Sequence, residues 1–259
     1  MTTKQIQVKD VMVKPVTISK AAVITEALDK MLDEGIDPLI AMNNHAVAGI
    51  VSRKSIAEKL GSRQNAAISP SKIHVATAVA EDFTPVYPDQ DVNILVPLLQ
   101  RFKLVVVYDS DHRLIGQVGF GDLLKLYQPD GTLADVMEKG ITIEAEERVV
   151  HLRRRMIDTG TERFIVTENE KVVGIVTETD VAIAMRKFRE DVDDKHQDHR
   201  IRNLLVKDIM TSPVISIEPG ATIAAAIVTM LGKKISSIPV MEKGKVLGVI
   251  TRKSLVDAL

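Results

Sequence analysis

The chain has 259 residues, a formal net charge of -1 and a pI near 6.6, a balance that argues against a broad electrostatic footprint for nucleic acid or an anionic membrane. It has no cysteine, which excludes disulfides, thiolate nucleophiles and Cys-ligated zinc, and its 45% hydrophobic content with 3% aromatic and no Trp predicts a core of Val, Ile, Leu, Ala and Met. The segment Met1 to Asp10 lacks the apolar centre of a signal peptide, and no run approaches the roughly 18 apolar residues that span a bilayer, so a soluble, cytoplasmic protein without membrane association is expected.

In chain order, one segment of about 55 residues recurs four times. Copy one opens with Val8-Lys9-Asp10-Val11-Met12, copy two with the worn version Val75-Ala76-Thr77-Ala78-Val79, copy three with Leu133-Ala134-Asp135-Val136-Met137, and copy four with Val206-Lys207-Asp208-Ile209-Met210. From the last residue of each opening to a Gly that begins an apolar triplet, the separation is 37 (Met12 to Gly49), 37 (Val79 to Gly116), 37 (Met137 to Gly174) and 38 (Met210 to Gly248). A fixed period of this kind marks a repeated supersecondary unit whose copies bury their cores against one another.

Within a copy the pattern reads strand, helix, strand, strand, helix. Copy one and copy two follow that order, and Pro97 implies that the first helix of copy two is kinked or starts at that residue. Copy three reads as a strand over 141–143, a helix over 149–157, strands over 164–166 and 172–176, and a helix beginning at Thr177. Copy four reads as a strand over 213–217, a turn at Pro219-Gly220, a helix capped by Thr222 with Ile223, Ala226, Ile227, Met230 and Leu231 on one face, strands over 237–241 and 245–250, and a final helix from Thr251. The fold class is α/β (α+β), and one unit has too few strands to cover both faces, so copies are expected to pair through their sheets. Copies one (8–60) and two (72–127) would form a first domain, residues 1–127; copies three (132–186) and four (206–259) would form a second, residues 132–259, with a charged connector over 187–205.

The Asp-Val/Ile-Met opening, the two central strands and the Gly-Ile/Val-Val/Ile-Thr/Ser ending resemble the CBS domain, the repeat named after cystathionine β-synthase, over almost the whole chain. The resemblance implies two paired-repeat modules, often arranged side by side as a flat disc. It also implies clefts that bind adenosine-containing ligands: AMP, ADP, ATP or S-adenosylmethionine. The family's binding signature is Ser/Thr-x-x-Asp directly after the last strand. A helix start there offers unpaired N–H groups to phosphate, and a carboxylate three residues on can accept from both ribose hydroxyls.

Copy three carries the full signature, Thr177-Glu178-Thr179-Asp180. Copy two keeps Asp122 but has Gly119 in place of the hydroxyl; copies one and four keep Ser52 and Thr251 but have Ser55 and Ser254 in place of the acid. Counting back from each Gly aligns Arg163 with Pro38, Val105 and Ser237, and the resemblance implies a phosphate contact for a basic residue there. Ile141 and Ile143 are the corresponding apolar strand residues for the base. The expected ligand-binding set is therefore Thr177, Asp180, Arg163, Ile141, Ile143, Asp122, Ser52 and Thr251, with no metal and no required cofactor.

Plainer readings stand beside these. Thr177 and Asp180 form a helix cap, Arg163 pairs with Glu162 or Glu168, and the pairs Arg53-Lys54 and Arg252-Lys253 are solvated helix starts. His196 and His199 among acids carry a metal reading that is disfavoured in a flexible connector. No nucleophile elbow, P-loop or His-Glu-x-x-His motif occurs, and no helix-turn-helix or zinc finger, so neither catalysis nor nucleic-acid binding is expected. The expected function is a non-catalytic sensor whose modules bind an adenine nucleotide or S-adenosylmethionine and signal to a separate regulated protein. A structural adaptor with degenerate sites is the alternative, and a homodimer is left open.

Overall fold

A computed structural model of the protein describes residues 6–62, 68–191 and 203–259. Most of the charged connector, including His196 and His199, lies outside the described residues. Each copy opens with a single helical turn: Val8–Val11, Val75–Thr77, Leu133–Val136 and Val206–Asp208.

Copy one continues as β1 (Thr17–Ser19), α1 (Ile24–Glu34), β2 (Leu39–Asn43), β3 (Ala46–Val51) and α2 (Arg53–Leu60). The α1 face that is buried, Ile24, Ala27, Leu28 and Met31, recurs at helical spacing, and the helix ends at Gly35, whose φ of 66° is the left-handed conformation that a helix stop requires. Because a helix separates β1 from β2 they pair in parallel, whereas β2 and β3 form a tight antiparallel hairpin. Copy two gives β4 (Pro85–Val86), α3 (Leu95–Arg101), β5 (Leu104–Tyr108), β6 (Leu114–Gly119) and α4 (Phe120–Leu124). Copy three gives β7 (Thr142–Glu144), α5 (Val149–Thr159), β8 (Arg163–Glu168), β9 (Lys171–Thr177) and α6 (Glu178–Asp191). Copy four gives α7 (Ile223–Gly232), β10 (Ser237–Glu242), β11 (Lys245–Thr251) and α8 (Arg252–Asp257).

Two expectations need correction. Helix α3 starts at Leu95, behind a tighter turn over Val92–Ile94, so Pro97 stands inside the first turn, where its missing N–H costs no helical bond. The strand expected over 213–217 is reduced to a single parallel bridge from Ile217 to Val240. In the other copies the N–H groups of Ile40, Val106 and Ile165 donate across to Val16, Thr84 and Ile141, each one residue ahead of the first strand. The matching position in copy four is Pro239, which has no N–H to give.

The openings explain the conserved spacing. Val13 pairs with Gln117 on β6, Ala80 with Ile50 on β3, Glu138 with Val249 on β11, and Thr211 with Ile175 on β9. Copies one and two thus exchange opening segments, and so do copies three and four. The exchange brings the two landmarks together. A Cβ at Gly116 would meet the Met12 sulfur at 2.9 Å, at Gly174 the Met210 sulfur at 2.5 Å, at Gly248 the Met137 sulfur at 2.8 Å, and at Gly49 the carbonyl oxygen of Ala80 at 2.2 Å. The sheets of copies one and two meet through Ile40, Leu104 and Val106. Helices make the other junctions. One core joins copies one and three, including Ile56 and Leu60 of α2 and Val181 and Met185 of α6; a second joins copies two and four, including Leu123 of α4 and Leu255 of α8.

Candidate functional site

These two kinds of junction leave a cavity of about 950 Å³ lined by residues of all four copies. Its wall carries nine Lys and Arg side chains against six Asp and Glu, an excess of three positive charges. Two sets of equivalent positions converge there. The residue that starts each last helix is Arg53, Phe120, Glu178 or Arg252, and the equivalent residue one or two ahead of each middle strand is Asp37, Lys103, Glu162 or Ser236. All eight line the cavity.

Strand pairing places Arg163 opposite Thr177, Ser237 opposite Thr251 and Leu104 opposite Gly119. The copy-two equivalent of Arg163 is therefore Leu104, not Val105, because the hairpin between β5 and β6 is one residue longer than the others. Of the expected ligand-binding set, Thr177, Arg163, Ile141, Asp122 and Thr251 line the cavity; Asp180, Ile143 and Ser52 do not. Ile143 is buried in the core shared by copies one and three.

The signatures differ in how far they are already occupied. In copy three the Thr177 amide and hydroxyl both donate to Asp180 Oδ2, at 2.7 and 2.6 Å, and the Thr211 hydroxyl donates to Oδ1 at 3.0 Å. Both oxygens of the acid are engaged. In copies one and four the hydroxyls cap their helices: Ser55 N donates to Ser52 Oγ at 3.1 Å and Ser254 N to Thr251 Oγ1 at 2.8 Å. In copy two Asp122 faces the cavity, accepting from Gly119 N at 3.0 Å and from Lys125 Nζ at 3.2 Å.

Arg53 and Arg252 are not solvated helix starts. Each reaches back to the end of its own copy's first helix, Arg53 Nη2 donating to Met31 O at 2.7 Å and Arg252 Nη2 to Met230 O at 3.0 Å. Each also crosses to another copy. Arg53 Nη1 donates to Thr179 Oγ1 at 3.3 Å, and a Cβ on Gly121, the position equivalent to Thr179, would stand 3.2 Å from Arg252 Nη1. Burial lowers the pKa of both guanidiniums, against the charge of Asp37 and Asp180 for Arg53 and of Asp122 for Arg252. Their Nε atoms are buried and have no hydrogen-bond partner among the described residues.

A charged cluster joins copies one, two and three. Lys103 Nζ forms an ion pair with Glu162 Oε1, and Arg163 Nη2 lies 3.3 Å from Glu162 Oε2. Burial alone would push the Glu162 carboxyl up, but Lys103 and Arg163 outweigh it and hold its pKa down. Burial likewise works against the charged form of Lys103, and Glu162 and Asp37 reverse it, raising its pKa. Asp37 accepts from Arg53 N at 2.9 Å, yet burial keeps its pKa raised. Glu178 makes no hydrogen bond or ion pair through its carboxylate with a described residue, and burial together with the Glu162 charge pushes it up to about 7. The sequence signal that could have found this cluster is the shared position of Asp37, Lys103 and Glu162, one residue before the aligned positions Pro38, Leu104 and Arg163, which the Gly-based count obscured in copy two.

A family model described as the CBS domain matches residues 8–62, 75–129, 133–187 and 206–259. The inosine-5'-monophosphate dehydrogenase of Korarchaeum cryptofilum is 34% identical over 116 residues, 44% of this chain and 21% of the dehydrogenase. Protein MJ1225 of Methanocaldococcus jannaschii, proposed as an archaeal homologue of γ-AMPK, is 22% identical over 94% of each chain, and its crystal structure superposes with a TM-score of 0.79 over 97% of this chain and 99% of that one. A conserved protein from Pyrococcus horikoshii has the same fold at a TM-score of 0.63 and 21% identity, over 97% of this chain and 98% of its own. The first curated relatives are matched over only 21% to 56% of their own lengths. No helix among the described residues is long and apolar enough to cross a membrane.

Proposed function

This chain belongs to the CBS-domain family, in which it carries four tandem copies, and on that premise we propose that it is a non-catalytic regulatory sensor of adenine nucleotides. The observation that carries the reading is the cationic cavity shared by all four copies, with helix starts on its wall. Residues 1–127 and 132–259 act as two modules, supported by the exchange of opening segments within each pair, and they dock as a disc around the cavity. A nucleoside sits in the lobe of copy two, where Asp122 accepts from the ribose beside Val13, Leu104 and Gln117. A second lobe, between copies three and four, offers Ile141, Ile165 and Val249 to a base and the start of α8 at Thr251 to phosphate. Arg163, Arg53 and Lys103 take up phosphate charge. The excess of cations favours AMP, ADP or ATP over S-adenosylmethionine, whose sulfonium is itself positive.

Copy three is a poorer site in this state, because Asp180 does not line the cavity and is tied to copy four, whereas Asp122 lines it and holds only Gly119 N and the exposed Lys125 of its own copy. A ribose at Asp180 must displace the Thr211 hydroxyl. That displacement would move the opening segment of copy four, one route by which binding shifts the population of module arrangements and signals to a regulated protein. The engaged Asp180, together with the self-capped Ser52 and Thr251, also favours a second reading, an adaptor with degenerate sites.

Calorimetric titration of nucleotide-stripped protein with AMP, ADP, ATP and S-adenosylmethionine tests both readings. Micromolar binding of a nucleotide, weakened at least tenfold by Asp122→Ala, supports the sensor and its copy-two site; weakening by Asp180→Ala alone moves the site to copy three. No heat with any of the four leaves the adaptor.

A further inference from the structure

The cavity wall is cationic, yet three acids intrude on its most basic side. Glu162 is neutralised on both oxygens, by Lys103 and Arg163, and Asp37 is tied to the Arg53 amide. Glu178 has neither kind of partner among the described residues. It occupies the position filled by Arg53, Phe120 and Arg252 in the other copies, so it is the one acid among four equivalent cavity-lining residues. We propose that Glu178 sets the charge this cavity accepts: a multiply charged anion binds with uptake of a proton at Glu178, and its affinity rises as the pH falls. The inference rests on the reading of the cavity as an anion site, and adds to it a residue that selects by charge.

The surroundings of Glu178 decide the direction. From the segments ahead of the middle strands it faces Glu162, Lys103 and Asp37; from α2, Lys54 and Glu58; from α5, Arg153. Lys54 and Lys103 favour its ionised form, but the burial and the charges of Glu162 and Asp37 oppose it. An anion arriving at Arg163, Arg53 and Lys103 adds negative charge on the same side, which makes an ionised Glu178 costlier still. The bound state therefore holds a proton that the free state has largely shed above pH 7. A neutral Glu178 needs no such uptake, and a site with it removed would accept more highly charged phosphates at alkaline pH.

The test uses sulfate as the probe, because it stays a dianion between pH 6 and pH 8 and so contributes no proton of its own. Calorimetric titration of the full chain at constant ionic strength, at both pH values and in two buffers of different ionisation enthalpy, gives affinity and proton count together. The expected result is about tenfold tighter binding at pH 6 than at pH 8, the ratio of protonated fractions for a group titrating near pH 7, with up to about one proton taken up at pH 8. Glu178→Gln is expected to bind with the same affinity at both pH values, within about twofold, and more tightly than the wild type at pH 8. Wild-type binding that is flat across this range, absence of sulfate binding at both pH values, or an unchanged pH slope in Glu178→Gln overturns the proposal. The wild-type proton count stands alone if the variant folds poorly. Nucleotide binding without proton uptake removes the charge selection and leaves the sensor reading; proton-linked sulfate binding without nucleotide binding does the reverse.

Discussion

At Gly174 a methyl group would stand 2.5 Å from the Met210 sulfur and 3.1 Å from the Thr211 carbonyl oxygen, so the site accepts only a residue without a side chain. Gly174→Ala is therefore expected to destabilise the protein by about 1–3 kcal/mol through overpacking. Met210→Ala should remove most of that added cost, and urea unfolding of the two single variants and the double variant measures the coupling; strict additivity would mean that the Gly and Met do not constrain each other. Glu178 supplies a second prediction at this scale. Its folded pKa of about 7 lies above the ordinary value of 4.5, so between those values the native state holds more protons than the unfolded one. Stability then falls as the pH rises from about 4.5 through 7, and the loss is complete above it. Because the side chain is only partly buried, the full shift overstates the effect; Glu178→Gln should gain on the order of 1 kcal/mol at pH 8 and little at pH 5, by urea midpoint at each.

The elements themselves were largely legible. Thr222 was expected to cap the copy-four helix, and its hydroxyl accepts from Ala225 N at 3.1 Å. Thr222→Ala should cost about 1 kcal/mol in urea unfolding and leave ligand binding unchanged, since the cap is remote from the cavity wall; an altered nucleotide affinity would contradict that separation. The spacing of apolar residues was enough for α7, which buries one face, and the repeated order of elements carried the expectation to α1 and α5. Less legible was the missing first strand of copy four. Its residues have strand character, but the bond that would seat them depends on an N–H at position 239, on another strand, where the residue is Pro. Helix starts misled for a similar reason. Arg53-Lys54 and Arg252-Lys253 look alike as solvated pairs, and only the path of each partly buried Arg back to Met31 or Met230 sets it apart from the Lys beside it.

Across the whole molecule, the repeat period foretold that copies would interlock without stating that every copy would contact two others by different means. Opening segments join one to two and three to four, whereas helices join one to three and two to four, and no local pattern encodes the second set. That arrangement has a thermodynamic consequence. The core containing Leu28, Ile56, Phe164 and Met185 spans both halves of the chain, as does the core containing Leu95, Leu123, Ile227 and Leu255. Neither half can unfold without exposing the buried faces of the other. Unfolding of the full chain should thus be a single cooperative transition despite its four repeats, with calorimetric and van't Hoff enthalpies that agree and with circular dichroism and calorimetry giving one midpoint. Two resolved transitions would mean that the cores within residues 1–127 and 132–259 outweigh those between them. Lys103→Met sharpens the test. It deprives Glu162 of its ion-pair partner at the junction of copies two and three, leaving Arg163 and Lys54 as its remaining nearby cations. If the halves are coupled, the variant should lower that one midpoint without splitting it; a lower midpoint for only part of the signal would locate the coupling elsewhere.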